Sequence, residues 1–195
     1  MEEKRRIIVG ITGASGPVMA YTLLQALRCH PQVEIHLVST QGARDTLFYE
    51  SDIPYKELVA LAHVVHDEHD LAASISSGSF VTDGMVVIPC SMKSLAGIVS
   101  GYSDNLLLRA ADVCLKEGRK VVLVPREMPL GKVHLRNLSQ AADLGCTIVP
   151  PVLTFYKGAN TVAKQIDHLV GKILMQFGLR HEAFRPWGES GHVEA

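Results

Sequence analysis

The chain has 195 residues, of which 47% are hydrophobic and 20% are charged. This length predicts a single domain, and the composition supplies enough apolar side chains for a sizeable core, which excludes global disorder. The formal net charge is -1, so charge gives no reason to expect a nucleic acid or an anionic membrane as a partner.

The four cysteines are widely scattered and form no C-x-x-C pair. This spacing predicts neither a zinc ribbon nor a disulfide framework, and it fits a reducing compartment. The first residues lead into a strand without an apolar signal-peptide segment, and no apolar run approaches the ~18 residues that span a bilayer. We therefore expect a cytoplasmic protein with no membrane partner.

The first motif is a strand, a glycine turn and a helix. The β-branched run 7–9 predicts a buried strand, and Gly13 and Gly16 allow a tight turn with close approach of a ligand. Pro17 suits the first turn of the helix that follows, whose apolar face is formed by Ala20, Leu23, Leu24 and Leu27. The free N–H groups at this helix start predict a phosphate site.

Short apolar strands and amphipathic helices alternate along the rest of the chain. Strands are expected at 33–38, at 85–88 before Pro89, at 121–124 before Pro125, and at 147–149 before Pro150. Helices are expected at 42–50, 56–65, 95–99, 106–116, 135–144 and 162–177, with a Ser- and Gly-rich loop at 74–83. This order predicts an α/β, Rossmann-like (flavodoxin-like), doubly wound parallel sheet with helices on both faces.

Ligands of such sheets bind beyond the carboxyl ends of the strands. The second strand ends in Ser39-Thr40, whereas NAD-binding proteins carry an acidic residue there for the ribose. A short-chain dehydrogenase would also have a Tyr-x-x-x-Lys pair, which is absent. The glycine turn therefore favours a mononucleotide phosphate over NAD(P).

The segment 89–94, which follows the strand expected at 85–88, carries side chains that can bind a phosphate. Ser91 and Ser94 offer hydroxyl groups to a phosphate, and Lys93 adds positive charge, although Ser91 can also serve simply as a helix N-cap. Cys90 lies where a helix start can lower a thiol pKa, but no resolving cysteine is nearby to support a redox role.

The segment 125–129, which follows the strand expected at 121–124, has a proline at each end and two charged side chains between them. Arg126 can bind a phosphate through its planar fork, and Glu127 can act as a proton shuttle. The alternative is an ordinary exposed ion pair. The charged run 66–70 has no recognisable metal-ligand spacing, so we interpret it as a solvated loop or helix start and expect no metal.

Eight ordered segments carry a resemblance to a known family. They are 10–16 (GITGASG), 76–80 (SSGSF), 89–96 (PCSMKSLA), 109–113 (RAADV), 115–117 (LKE), 124–130 (VPREMPL), 134–138 (HLRNL) and 155–156 (FY). Together they closely resemble the UbiX-type flavin prenyltransferases, including the B subunits of hydroxyarylic acid decarboxylase systems. The resemblance runs from about Arg6 to Gly178.

The resemblance implies transfer of a dimethylallyl group from dimethylallyl monophosphate to N5 and C6 of reduced FMN, without a metal. The product, prenylated FMN, is the cofactor of UbiD-type aromatic acid decarboxylases, which makes such an enzyme the expected functional partner. It also implies a homo-oligomer, a dodecamer with active sites at subunit interfaces. We expect a flavin-binding prenyltransferase domain at 1–178 and a polar C-terminal tail at 179–195.

Site residues follow from the resemblance position by position. The FMN site would comprise Gly13, Ala14, Ser15, Thr40, Ser91, Met92, Lys93, Ser94 and Arg126. The dimethylallyl phosphate site would comprise Glu50, Arg109, Lys116, Arg126, Tyr156 and Lys172, and the catalytic residues would be Ser15, Glu127 and Lys116. Lys172 stands where the family usually has Arg, which keeps the charge and loses the bidentate fork.

Two alternatives remain open at this point. The first is a flavin-dependent cysteine decarboxylase of the same fold, whose Pro-Ala-Ser-Ala-Asn-Thr and Pro-x-Met-Asn-x-x-Met-Trp segments are absent here. The second is a non-catalytic FMN carrier or assembly subunit of a decarboxylase, which would have no need of the phosphate-binding Lys116 and Tyr156 or of Glu127.

Overall fold

The computed structural model describes residues 4–155 and 159–184. The described strands are β1 (Arg5–Ile11), β2 (Val33–Ser39), β3 (Val64–His66), β4 (Gly84–Cys90), β5 (Lys120–Pro125) and β6 (Thr147–Ile148). The α-helices are α1 (Val18–Arg28), α2 (Gln41–Glu50), α3 (Tyr55–Val59), α4 (Met92–Ser100), α5 (Leu106–Lys116), α6 (Lys132–Asp143) and α7 (Val162–Gln176). The strands form one six-stranded parallel sheet in the order β3-β2-β1-β4-β5-β6.

Both faces of the sheet are covered, which confirms the predicted doubly wound architecture. Successive residues of β1 point to opposite faces: Ile7 and Val9 pack into a core with α1 and α7, and Ile8 packs into a second core with α4 and α5. These side chains are at most 1% exposed. Burial on both sides explains why the central strands are continuous apolar runs rather than alternating ones.

The helix predicted over 56–65 is wrong in its second half. The helix α3 ends at Val59, and Val64–His66 forms the edge strand β3, which pairs in parallel with β2. The helical spacing of apolar residues extends as far as Val65. The backbone of the β-branched pair Val64-Val65 nevertheless hydrogen-bonds to β2 instead of continuing a helix.

Of the two prolines expected to end strands, Pro125 does so and Pro89 lies inside its strand. Pro89 is part of β4 and Pro125 is the last residue of β5. The ladder between β4 and β5 is irregular between Val87 and Cys90, and at such a position a residue without an N–H group is tolerated. Within the residues that the structure describes, no helix combines the length and apolar character that a bilayer span requires.

Candidate active site

Hydrogen bonds at the carboxyl edge of the sheet bring four strand ends together. Thr12, just after β1, donates through its hydroxyl to the carbonyl of Pro89 (2.7 Å) and accepts from the N–H of Ser91 (2.8 Å). The N–H of Thr40 donates to the last carbonyl of β1, and that of Arg126 donates to the last carbonyl of β4. In the sheet, β2 and β3 lie on one side of β1 and β4 lies on the other, so the strand order reverses at β1 and a crevice opens here.

A cavity of about 340 Å³ occupies this crevice. Five residues of the predicted FMN site line it, and other residues complete the wall. The lining comprises Gly13, Thr40, Gln41, Gly42, Glu68, Ser91, Lys93, Ser94, Asn105 and Leu108. The remaining predicted FMN residues border it in sequence: Ala14 and Ser15 follow Gly13, Met92 lies between Ser91 and Lys93, and Arg126 follows β5.

Two helices begin at the cavity wall. Thr40 is the N-cap of α2 and accepts from the N–H of Ala43 (3.2 Å), and Ser91 is the N-cap of α4 and accepts from the N–H of Ser94 (3.2 Å). The N-cap interpretation of Ser91 is thus confirmed, and it is compatible with ligand binding because other N–H groups of the first turn have no helical partner. Together with the Lys93 ammonium, the start of α4 attracts an anion.

The glycines of the turn are required by close packing at the cavity. A Cβ atom on Gly13 would lie 3.0 Å from the backbone carbonyl carbon of Gly42, and one on Gly42 would lie 3.3 Å from the Cα of Gly13. Gly16 adopts a φ of 93°, a left-handed conformation that side chains disfavour. This bare backbone wall, with hydroxyls and one lysine around it, fits the phosphate and polyol of FMN.

Glu68 corrects the prediction of a solvated loop at 66–70. Its neighbours Asp67 and His69 are exposed, but Glu68 is only 6% exposed and lines the cavity. Its Oε1 accepts from the N–H of Gln41, the first residue of α2, and lies 3.9 Å from Arg44. Sequence reasoning missed it because nothing in a run of charged residues marks the one that turns inward.

Glu50 and Glu127 lie on opposite sides of the crevice. The Oε2 atom of Glu50 accepts from the N–H of Gly16 at 2.8 Å, which ties the end of α2 to the glycine turn. Glu127 follows β5, is exposed, and accepts from the N–H of Met128 (3.0 Å). Within the described residues no ion pair joins it to Arg126, so the ion-pair alternative is wrong and both side chains remain available.

Among the described residues, two predicted phosphate ligands, Arg109 and Lys116, do not line this cavity. Arg109 binds the carbonyl of Ser76 and the carboxylate of Asp112. Lys116 ends α5, eight residues or about 12 Å beyond Leu108 at the cavity wall, and its ammonium lies 3.4 Å from Glu117. Tyr156 lies outside the described residues.

Lys172 lies on α7 toward the amino edge of the sheet. Its ammonium is 5.9 Å from the centre of the Phe184 ring. One turn further on, the carbonyl of Gln176 accepts from Lys120 and that of Phe177 accepts from Arg5, residues at the amino ends of β5 and β1. The lysine is therefore remote from the carboxyl edge of its own sheet.

An apolar cavity of about 540 Å³ lies next to the glycine turn. Met19, on the first turn of α1, forms part of its wall, and a Cβ atom on Gly16 would lie 2.7 Å from the Met19 methyl carbon. The other walls come from 151–155 and the start of α7, where Leu153 and Phe155 are 68% and 81% exposed. An apolar surface of this kind can receive a hydrocarbon group.

Metal and thiol chemistry find no support in the described part of the chain. No group of three His, Cys, Asp or Glu side chains there is arranged to hold a metal ion. Cys90 is fully buried, and burial raises the pKa of its thiol to about 12, so the thiol stays protonated. The redox alternative for Cys90 is therefore unsupported.

Comparison with known proteins identifies the class. The family described as Flavoprotein matches residues 1–178. A probable UbiX-like flavin prenyltransferase of Sedimentibacter hydroxybenzoicus is 59% identical over 182 residues, which cover 93% of this chain and 96% of the relative. The chain therefore belongs to the flavoprotein family and, within it, to the UbiX-like flavin prenyltransferases.

Solved structures agree with this assignment. AnUbiX (PadA1) in complex with FMN and dimethylallyl pyrophosphate superimposes with a TM-score of 0.93 at 46% identity, covering 97% of this chain and 100% of that one. A dodecameric FMN-dependent UbiX-like decarboxylase of Escherichia coli O157:H7 gives 0.92 at 52% identity, covering 95% and 100%. The cysteine decarboxylase SpaF, at 22% identity and a TM-score of 0.60, shares the fold alone.

Proposed function

We propose that this chain transfers a dimethylallyl group from dimethylallyl monophosphate to reduced FMN and so makes prenylated FMN. The observation that carries the proposal is the cavity between Gly13, Thr40 and the segment 91–94, where two helix starts and Lys93 converge. A relative 46% identical to this chain has been solved with FMN and dimethylallyl pyrophosphate. FMN supplies the nucleophilic ring atoms that accept the prenyl group.

The segment 91–94 and the glycine turn would hold FMN. The N–H groups at the start of α4 and the Lys93 ammonium would bind the phosphate, and the hydroxyls of Thr40 and Ser94 would contact the polyol chain. Ala14, Ser15, Met92 and Arg126 would complete the site beside the flavin ring.

The cationic side chains would stabilise the departing phosphate. Cleavage of the dimethylallyl–oxygen bond builds negative charge on that phosphate, and Lys116, Arg126 and Lys172 would neutralise it where water is excluded. Tyr156 would add a hydroxyl donor, and Glu50 and Arg109 would support this group. The hydrocarbon would lie against the apolar surface near Met19.

Glu127 would accept the proton that must leave when the new ring closes. Within the described residues Glu127 forms no ion pair with Arg126. It lies in a loop bounded by Pro125 and Pro129, which restrain its position. Ser15, in the glycine turn, would lie near the reacting face of the flavin.

We infer that the active site is completed by neighbouring copies of the chain. Lys116 and Lys172 lie far from the carboxyl edge of their own sheet, so they would reach the cavity of another subunit. The UbiX-like relative from Escherichia coli O157:H7 is dodecameric. A monomer, identified by light scattering, that still turns over would refute this arrangement.

The proposed setting is cytoplasmic, with a UbiD-type aromatic acid decarboxylase as the functional partner that uses the product. The catalytic unit would be residues 1–178, followed by a C-terminal tail at 179–195 whose first residue, Leu179, packs into the core. Neither a nucleic acid nor a membrane is required by this activity.

Phosphate release under anaerobic conditions tests the proposal. Protein incubated with reduced FMN and dimethylallyl monophosphate should release phosphate, and it should do so equally well in EDTA. A metal-dependent prenyltransferase would stop in the chelator and recover with magnesium, whereas an FMN carrier would bind FMN and release no phosphate at all.

A further inference from the structure

We propose that Glu68 binds the ribityl hydroxyls of FMN and thereby sets the direction in which the cofactor lies. This inference rests on the proposed function, because the ligand is taken to be FMN. Glu68 lines the 340 Å³ cavity and is 94% buried, which is unusual for a carboxylate without a full set of partners.

The two carboxylate oxygens of Glu68 have different surroundings. Oε1 accepts from the N–H of Gln41. Oε2 makes no hydrogen bond within the described residues but is not fully buried, and Glu68 lines the cavity. A carboxylate oxygen in a binding cavity needs a donor, so a ligand that displaces water from it has to supply one.

Arg44 compensates the charge of Glu68 only in part. Its closest nitrogen is 3.9 Å from Oε1, beyond hydrogen-bond distance. Its guanidinium donates instead to the carbonyl of Ser39 (3.4 Å) and to the side-chain oxygen of Gln41 (3.5 Å). Part of the negative potential of Glu68 therefore remains at the cavity wall.

This potential makes the two helix starts unequal. The start of α2 is occupied by the Glu68 carboxylate, whereas the start of α4 carries Lys93 and no acidic side chain in its first turn. A phosphate is repelled from the first and attracted by the second. A ligand with a phosphate at one end and a chain of hydroxyls behind it can satisfy both, and FMN has this chemistry.

Three flavins separate the possible roles of Glu68. FMN carries both phosphate and ribityl chain, riboflavin carries the ribityl chain alone, and lumiflavin carries neither. Their dissociation constants are measured by fluorescence titration for the wild type, for Glu68→Gln and for the control Asp70→Asn. The control removes one charge from the same loop, at an exposed carboxylate that caps the N–H of Ala72.

Glu68→Gln keeps the shape of the side chain and an oxygen for the Gln41 N–H, and it replaces a charged acceptor by a neutral one. We expect FMN and riboflavin to bind about fivefold to tenfold more weakly, with lumiflavin unchanged within about twofold. Asp70→Asn should leave all three constants unchanged. An equal loss for all three flavins would mean that Glu68 acts only by holding α2, and tighter binding of FMN alone would mean that it only repels phosphate; either result overturns the proposal.

If Glu68→Gln does not fold, Glu68→Asp takes its place, because it keeps the charge near Arg44 and withdraws the carboxylate by one methylene. The same selective loss for the two ribityl flavins is expected, and an unchanged riboflavin constant contradicts the proposal. Failure of the wild type to bind any flavin would instead contradict the proposed function.

Discussion

The variant Thr12→Val tests whether the hydrogen bonds between the ends of β1 and β4 stabilise the fold and the candidate site. The Thr12 side chain is 1% exposed, and its hydroxyl makes two hydrogen bonds, one given to the carbonyl of Pro89 and one accepted from the N–H of Ser91. Valine has nearly the same shape but leaves the N–H of Ser91 unpaired, and the carbonyl of Pro89 keeps only the 3.3 Å bond from the backbone N–H of residue 12. At about 1–3 kcal/mol for the unpaired N–H and about 0.5–1.5 kcal/mol for the hydrogen bond lost at the carbonyl, the expected loss is roughly 2–4 kcal/mol in the free energy of unfolding.

This loss corresponds to a fall of roughly 5–15 °C in the thermal midpoint for a chain of this size. Differential scanning fluorimetry at one fixed protein concentration measures it, because subunit association shifts the midpoint with concentration. FMN affinity should fall as well, since Ser91 begins α4 at the cavity wall.

The matched control is Thr22→Val. The hydroxyl of Thr22 donates only to the carbonyl of Val18 on the exposed side of α1, at 3.0 Å. That variant should change the free energy of unfolding by no more than about 0.5 kcal/mol. Equal midpoints for Thr12→Val and Thr22→Val would refute the structural role assigned to the Thr12 hydroxyl.

Three further predictions concern catalysis and pH. Glu127→Gln should bind FMN normally but slow the chemical step by about 10²–10⁴-fold in single-turnover absorbance, and a wild-type rate would exclude it as proton acceptor. Lys172→Ala should raise the dimethylallyl phosphate concentration for half-maximal rate roughly 10- to 100-fold with FMN titrations unchanged, whereas Lys172→Arg should match or improve on the wild type; an unaltered substrate dependence for Lys172→Ala would remove it from the phosphate site. Burial of the imidazole is the main cause that lowers the pKa of His66 below its usual 6.5, and electrostatic repulsion from His36 lowers it further. The unfolded chain then binds more protons, so the thermal midpoint should fall as pH drops below about 6.5 and His66→Asn should flatten that fall; parallel profiles would contradict this.

The elements that build the crevice were predictable because their signals are local. The apolar run of β1, the glycine turn and the amphipathic α1 each occupy a few consecutive residues, and parallel strands align their carboxyl ends. Thr40 and Ser91 were therefore expected at one edge, and the structure brings both to one cavity. The parallel sheet and the helices on both of its faces followed from the same alternation of elements.

Other features of the fold and the site depend on tertiary contacts, which a local sequence pattern does not reveal. The strand β3 forms because β2 offers it a backbone edge, and Glu68 is buried where its carboxylate accepts from the first N–H of α2. His36 lies on the strand expected at 33–38, yet nothing in the sequence indicates that it is 2% exposed and hydrogen-bonds Glu34 and His66. The helix at 106–116 was predicted, but spacing alone gave no indication that its last residue, Lys116, lies remote from the cavity of its own chain.

The mass of the flavin after reaction tests the central proposal most directly. Protein, reduced FMN and dimethylallyl monophosphate are incubated anaerobically, and the released flavin is analysed by mass spectrometry beside a sample without protein. FMN heavier by one five-carbon prenyl unit is expected in the wild-type sample and unchanged FMN in the sample without protein. Unchanged FMN in the wild-type sample, with the protein folded and flavin bound, would contradict it.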